Sequence, residues 1–130
     1  MKKVMVFGTF DRLHPGHIFF LREAKKLGDY LVVVVARDVT VKQVKGHLPR
    51  QSEEDRAAHL RNAGIPDEVL LGSLTDKYAL VRQERPQVIA LGYDQEAFVA
   101  GLLTILPDNF PVVRLPAFEP EKFKSSRLPS

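Results

Sequence analysis

An α/β fold with a Rossmann-like, parallel five-stranded sheet and helices on both faces is what the sequence predicts. Three observations carry that expectation. Short apolar runs alternate with segments of helical spacing. The run Tyr30 to Ala36 contains four consecutive valines and is apolar throughout, as a parallel strand covered on both faces must be. Polar, glycine-bearing segments recur directly after the apolar runs, so they gather at one edge of such a sheet.

Each element has its own justification. Val4 to Phe7 reads as the core of a first strand near residues 3 to 7, and the turn Thr9 to Leu13 leads to a helix near 15 to 27. Pro15 suits the first helical turn, where a missing N–H costs nothing. Ile18, Leu21 and Ala24 follow helical spacing, and Gly28 is expected to end the helix. After the valine-rich strand, Asp38 or Thr40 starts a short helical turn, and Val44 to Arg50, with Gly46 and Pro49, reads as a mobile basic loop. Ser52 is the expected N-cap of a helix to Asn62, with Asp55 at the capping-box spacing and Gly64 and Pro66 closing it. Strands follow at Glu68 to Leu71, Val88 to Leu91 and Val112 to Leu115, with helices near Lys77 to Glu84 and Gln95 to Thr104.

Composition narrows the function classes. The 130 residues, 45% hydrophobic and 27% charged, predict one domain over residues 1–130, with 117–130 as a tail. No apolar stretch approaches the roughly 20 residues that span a bilayer, and Met1 to Val4 runs into a strand with no signal-like segment, so a cytoplasmic protein without a membrane partner is expected. Cysteine is absent, which excludes a disulfide framework, a thiolate metal site and a cysteine nucleophile. Nineteen Lys and Arg against sixteen acidic residues give a net charge of +3. That excess favours anionic ligands, while the lack of a Lys/Arg block argues against nucleic acid.

The chemistry concentrates in Gly8-Thr9-Phe10-Asp11-Arg12-Leu13-His14-Pro15-Gly16-His17. This segment joins a strand to a helix, and N–H groups at a helix start attract anions. His14 and His17 are three apart, which puts both imidazoles on one face of the first turn, beside the expected phosphate. Arg37 to Lys45, Gly72 and Ser73, and Gly92 to Gln95 follow the next three strands and fall on the same edge. Ligands of open α/β sheets bind there, where strand order reverses.

The series G-T-F-D followed by H-x-G-H resembles the signature of the cytidylyltransferase-like nucleotidyltransferases, whose HxGH fold is Rossmann-like. With Val33 to Asp38, Leu91 to Gln95 and Lys124-Ser125-Ser126, the wider pattern is similar to the archaeal-type FAD synthases, which are FMN adenylyltransferases. The resemblance implies transfer of AMP from ATP to FMN, with pyrophosphate released and a divalent metal, Mg²⁺, carried on the nucleotide phosphates rather than by protein ligands. An ionised phosphate nucleophile needs no general base, so the site must align reactants and stabilise charge. By resemblance, His14 and His17 are the catalytic pair. Gly8, Thr9, Phe10, Asp11, Pro15 and Gly16 meet the nucleotide, Lys42 or Lys45 clamps the triphosphate, and Arg56 falls where similar enzymes carry a useful arginine. Gly92 and Asp94 contact the nucleoside, and Phe123, Ser125 and Ser126 occupy the second phosphate signature.

Plainer roles stand beside these. Asp11 is equally suited to stabilising the turn, Arg56 to pairing with Glu53 on its helix, Lys42 and Lys45 to a solvated face, and Asp94 to an N-cap. The tail departs from the cytidylyltransferase pattern, with Phe123-Lys124-Ser125-Ser126 in place of an Ile-Ser-Thr-Thr run. Its contacts are therefore expected to need a partner chain or ordering by ligand, and a homodimer fits that expectation. Two alternatives to AMP transfer remain at this stage. One is a cytidylyltransferase using CTP and glycerol 3-phosphate or another polyol phosphate, and the other is a nucleotide-binding module without catalysis.

Overall fold

The computed structural model describes residues 2–76, 78–92, 104, 106, 107 and 109–116. Its elements are β1 (Lys3–Gly8), α1 (Pro15–Lys25), β2 (Tyr30–Val35), α2 (Asp38–Lys45), α3 (Glu53–Asn62), β3 (Glu68–Leu71), α4 (Ala79–Glu84), β4 (Val88–Leu91) and β5 (Val112–Arg114). All strand pairs are parallel, and the order across the sheet is β3-β2-β1-β4-β5. The chain moves outward from β1 to β3, then returns through α4 to lay β4 on the other side of β1. Strand order therefore reverses between β1 and β4, which locates the ligand crevice of an open α/β sheet beyond Gly8 and Leu91.

Alternating side chains of the buried strands feed two cores. Val4, Val6, Leu31, Val33, Val35, Val88 and Ala90 pack with Leu21 and Ala24 of α1 and Ala57 and Leu60 of α3. Met5, Phe7, Val32, Val34, Ile89 and Leu91 form the opposite face with Val81 of α4. Helices cover both faces, which is why these strands read as continuous apolar runs.

Several boundaries differ from the sequence expectation. The first helix ends at Lys25, capped by Lys26 in right-handed geometry. Gly28 instead admits the chain start, since a Cβ there would lie 2.5 Å from the Lys2 carbonyl oxygen. The segment after β2 is a helix of 8 residues, so Val44 and Lys45 belong to α2 and not to a mobile loop. Gly46, at φ 85°, is its left-handed cap, donating to the Lys42 carbonyl. The fourth helix starts at Ala79, two residues later than expected, because the Asp76 carboxylate accepts from Tyr78 N and holds the preceding turn. Ser52 caps α3 as expected, its Oγ accepting from Asp55 N. The helix expected over Gln95 to Thr104 lies almost wholly outside the described residues.

Candidate active site

The site begins where β1 ends. Gly8 pairs with Val35, and a Cβ on Gly8 would lie 2.8 Å from the Phe10 ring. Glycine is thus required for Phe10 to fold back under the turn. Phe10 adopts φ 54°, which buries its ring in the core, edge-on to His17 with centroids 5.4 Å apart. Arg12 also takes φ 54°. Each left-handed residue that is not glycine costs about 1 kcal/mol, so neighbours must hold the turn.

They do so from the segment before α3. The Asp11 carboxylate accepts from Arg50 N at 2.8 Å and Gln51 N at 3.0 Å, and Arg12 N donates to Gln51 Oε1 at 2.9 Å. Burial works to raise the Asp11 pKa, but these N–H donors and the charges of Arg56 and Arg50 outweigh it, leaving the carboxyl below its ordinary value. Asp11 therefore has the turn-stabilising role.

Arg56 is fully buried and donates three ways: Nη1 to the Thr9 carbonyl at 2.8 Å, Nε to the Gln51 carbonyl at 3.0 Å, and Nη2 to Asp38 Oδ1 at 2.6 Å. The expected Arg56–Glu53 pair is not formed. Glu53 binds Arg37 Nε at 2.9 Å and accepts from Asp38 N, because it stands at the helix start facing α2 while Arg56 turns inward with Ala57 and Leu60. Sequence reasoning missed the Asp38 partner and Gln51. The available signal was Arg56 itself, an arginine in phase with the apolar face of its helix.

His14 is the N-cap of α1, with Pro15 at the first helical position. Its Nδ1 accepts from Gly16 N at 3.0 Å, and His14 N donates to His17 Nδ1 at 3.3 Å. The expectation of open N–H groups at this helix start is thus corrected at Gly16, whose N–H is taken by the His14 ring. The two imidazoles stack at 3.7 Å between centroids. An accepting Nδ1 carries no proton, so in this arrangement each ring carries its N–H on Nε2. Burial, then the neighbouring His14 and Lys45, lowers the His17 pKa to about 4 against the opposing pull of Asp11. His17 is therefore a neutral Nε2–H donor at physiological pH.

Lys45 is the lysine that acts electrostatically on His17, from the last turn of α2. Lys42 lies one turn earlier, and both lysines are exposed. Across the switch point, Gly92 follows β4, and its carbonyl accepts from Arg114 Nη1 at 3.1 Å. Gly8, Thr9, Phe10, Asp11, His14, Pro15, Gly16 and His17 are thus brought together at one sheet edge, with Gly92 just beyond the end of the adjacent strand β4. Asp94, Phe123, Ser125 and Ser126 lie outside the described residues. Among the described residues, no three His, Asp or Glu side chains converge to hold a metal ion, and no helix is long and apolar enough to cross a membrane.

Comparison with known proteins gives a consistent answer. The Cytidylyltransferase-like family model matches residues 5–128. An FAD synthase of Aciduliprofundum boonei is 51% identical over 96 residues, covering 74% of this chain and 64% of that protein. The chain thus spans just under two thirds of that relative's length. An FAD synthase of Methanothrix thermoacetophila is 44% identical over 132 residues, covering 98% of this chain and 90% of that protein. A crystal structure of the lipopolysaccharide core biosynthesis protein from Thermoplasma volcanium superposes with a TM-score of 0.81 at 39% identity, over 92% of this chain and 99% of that one. From its strand-to-helix histidine turn to its sheet order and its relatives, the chain belongs to the cytidylyltransferase-like family, with archaeal FAD synthases among its kin.

Proposed function

We propose that this protein is an FMN adenylyltransferase, transferring AMP from Mg·ATP to FMN to give FAD and pyrophosphate. The observation that carries the chemistry is the stacked His14–His17 pair, fixed as two Nε2–H donors at the switch point of the sheet. The relatives named FAD synthase, with 90% of one protein's length matched, support FMN as acceptor and ATP as donor.

In the reaction, an oxygen of the FMN phosphate forms a bond to the α-phosphorus of ATP, and the bond from that phosphorus to the bridging oxygen breaks as pyrophosphate leaves. The nucleophile is already ionised, so no residue needs to remove a proton. Catalysis rests on donors aimed at charge that grows on the non-bridging oxygens and on the leaving group. His14 and His17 supply Nε2–H donors to the α-phosphate. Lys45 supplies positive charge toward the leaving phosphates. A divalent metal bound on the triphosphate would supply charge neutralisation there. Thr9, Gly16, Gly92 and the backbone of Phe10 stand at the sheet edge that receives the nucleotide, while Asp94, Phe123, Ser125 and Ser126 are assigned nucleotide contacts by family resemblance alone.

The test is a substrate matrix. The protein is incubated with Mg²⁺, ATP or CTP, and FMN or glycerol 3-phosphate, while pyrophosphate is followed. Release only with ATP and FMN together is expected. Release only with CTP and a polyol phosphate contradicts the proposal, and tight ATP binding with no release under any pairing marks a binding module.

A further inference from the structure

We propose that Gln51, outside every recognised motif, is a positioning residue that sets the histidine-bearing turn for catalysis. The inference rests on the reading of His14 and His17 as the reactive pair. It goes beyond that reading by assigning their placement to a residue on a different segment.

Gln51 makes three hydrogen bonds, each to a different part of the site. Its side-chain oxygen accepts from Arg12 N at 2.9 Å, its own N–H donates to Asp11 Oδ1 at 3.0 Å, and its carbonyl accepts from Arg56 Nε at 3.0 Å. Two of these bonds grip consecutive residues of the turn. The third ties Gln51 to the buried guanidinium that also holds the Thr9 carbonyl. Thr9, Asp11 and Arg12 are therefore fixed from one side, by one cluster.

The bond to Arg12 is the informative one. Arg12 stands in the left-handed region at φ 54°, two residues before the His14 cap. A side chain with a Cβ avoids that region unless its surroundings impose it. The Gln51 side chain accepts the Arg12 N–H in this conformation of the turn, and so favours the path by which the chain delivers His14 to Gly16 N. The backbone bonds of residue 51 are open to any residue but proline. Only the Arg12 contact depends on the glutamine side chain, which makes its role separable.

Gln51→Met keeps the length of the side chain and removes the acceptor, whereas Gln51→Glu keeps an acceptor oxygen. Expected for Gln51→Met is a kcat about tenfold or more lower with KM for ATP within about threefold, because misaligned donors weaken the transition state more than ground-state binding. Gln51→Glu should hold kcat within about threefold. A second readout is the His17 resonance followed against pH. Its midpoint should rise from about 4 toward 6.5 in Gln51→Met as the ring leaves its buried stack, and stay low in Gln51→Glu. A methionine variant with unchanged kcat and unchanged His17 midpoint overturns the proposal. So does an equal loss in both variants that tracks their melting temperatures. Should Gln51→Met fail to fold, the wild-type Arg12 amide decides: slow hydrogen exchange supports the contact, and exchange at an open-loop rate overturns it. If the wild-type protein makes no FAD, the functional reading fails while the His17 titration still judges Gln51.

Discussion

The rings of His14 and His17 stack 3.7 Å apart, and the backbone N–H of His14 donates to the Nδ1 of His17. This one relationship fixes tautomer and orientation together. A histidine at a helix start ordinarily offers either nitrogen; here both Nδ1 atoms are occupied and both protons lie on Nε2. Preorganised donors need no rearrangement when charge develops, which is the condition under which they lower a barrier most.

Removing either donor should therefore act on turnover. His17→Ala is expected to lower kcat about 10²- to 10³-fold with little change in ATP affinity, since its contact strengthens in the transition state. His14→Ala should show a similar loss and also destabilise the fold by about 1 kcal/mol, because His14 caps α1. Steady-state kinetics, with calorimetric ATP binding and urea melts, check both.

The pH dependence has a definite sign. His17 in the unfolded chain takes a proton near its ordinary 6.5, and in the folded chain only near about 4. Between those values the unfolded state binds more protons, so stability contributed by the neutral ring is full above 6.5 and is lost as pH falls toward 4. After allowance for the ring's partial exposure, the loss by pH 5 should be on the order of 1 kcal/mol. Urea midpoints at pH 7 and pH 5 should draw closer in His17→Gln than in the wild type.

Arg56 predicts a stability effect at the buried support of the turn. Its guanidinium is fully buried and its single carboxylate partner is Asp38 among the described residues. Asp38→Ala leaves that charge without its counter-ion and should cost about 3 kcal/mol. Denaturant melts read this loss, and equal stability of Asp38→Ala and wild type would remove the pair from the account.

The two lysines of α2 should separate. Lys45 contributes to the field at His17, so Lys45→Ala is expected to lower kcat/KM for ATP about tenfold. Lys42→Ala should stay within about twofold, since it lies one turn further along α2 and no effect of its charge on His17 is seen. Parallel kinetics on the two variants decide which lysine serves the triphosphate.

Much of the fold was legible because parallel strands buried on both faces leave a plain trace: Val4 to Phe7, Tyr30 to Val35 and Val88 to Leu91 are continuous apolar runs. The histidine turn was legible because its spacing, cap and proline all serve one local geometry. Long-range partners left no such trace. Arg56 finds Asp38 eighteen residues away and Thr9 forty-seven away, whereas local spacing offered Glu53. The α2 helix was underestimated because Gly46 and Pro49 suggested a loop, when Gly46 is in fact a helix cap that presupposes the helix before it. Gln51 escaped notice because a glutamine before an N-cap has no distinctive pattern, and its value comes only from the left-handed backbone it meets.

The central claim is that an AMP moiety passes from ATP to FMN at His14 and His17. It is tested most directly by giving the protein ATP labelled at the α-phosphorus, with FMN and Mg²⁺, and following the label chromatographically. The account predicts that the label appears in FAD in the wild type and falls by at least about a hundredfold in rate in His17→Ala. Label that never enters FAD, or that enters it equally fast in His17→Ala, would contradict it.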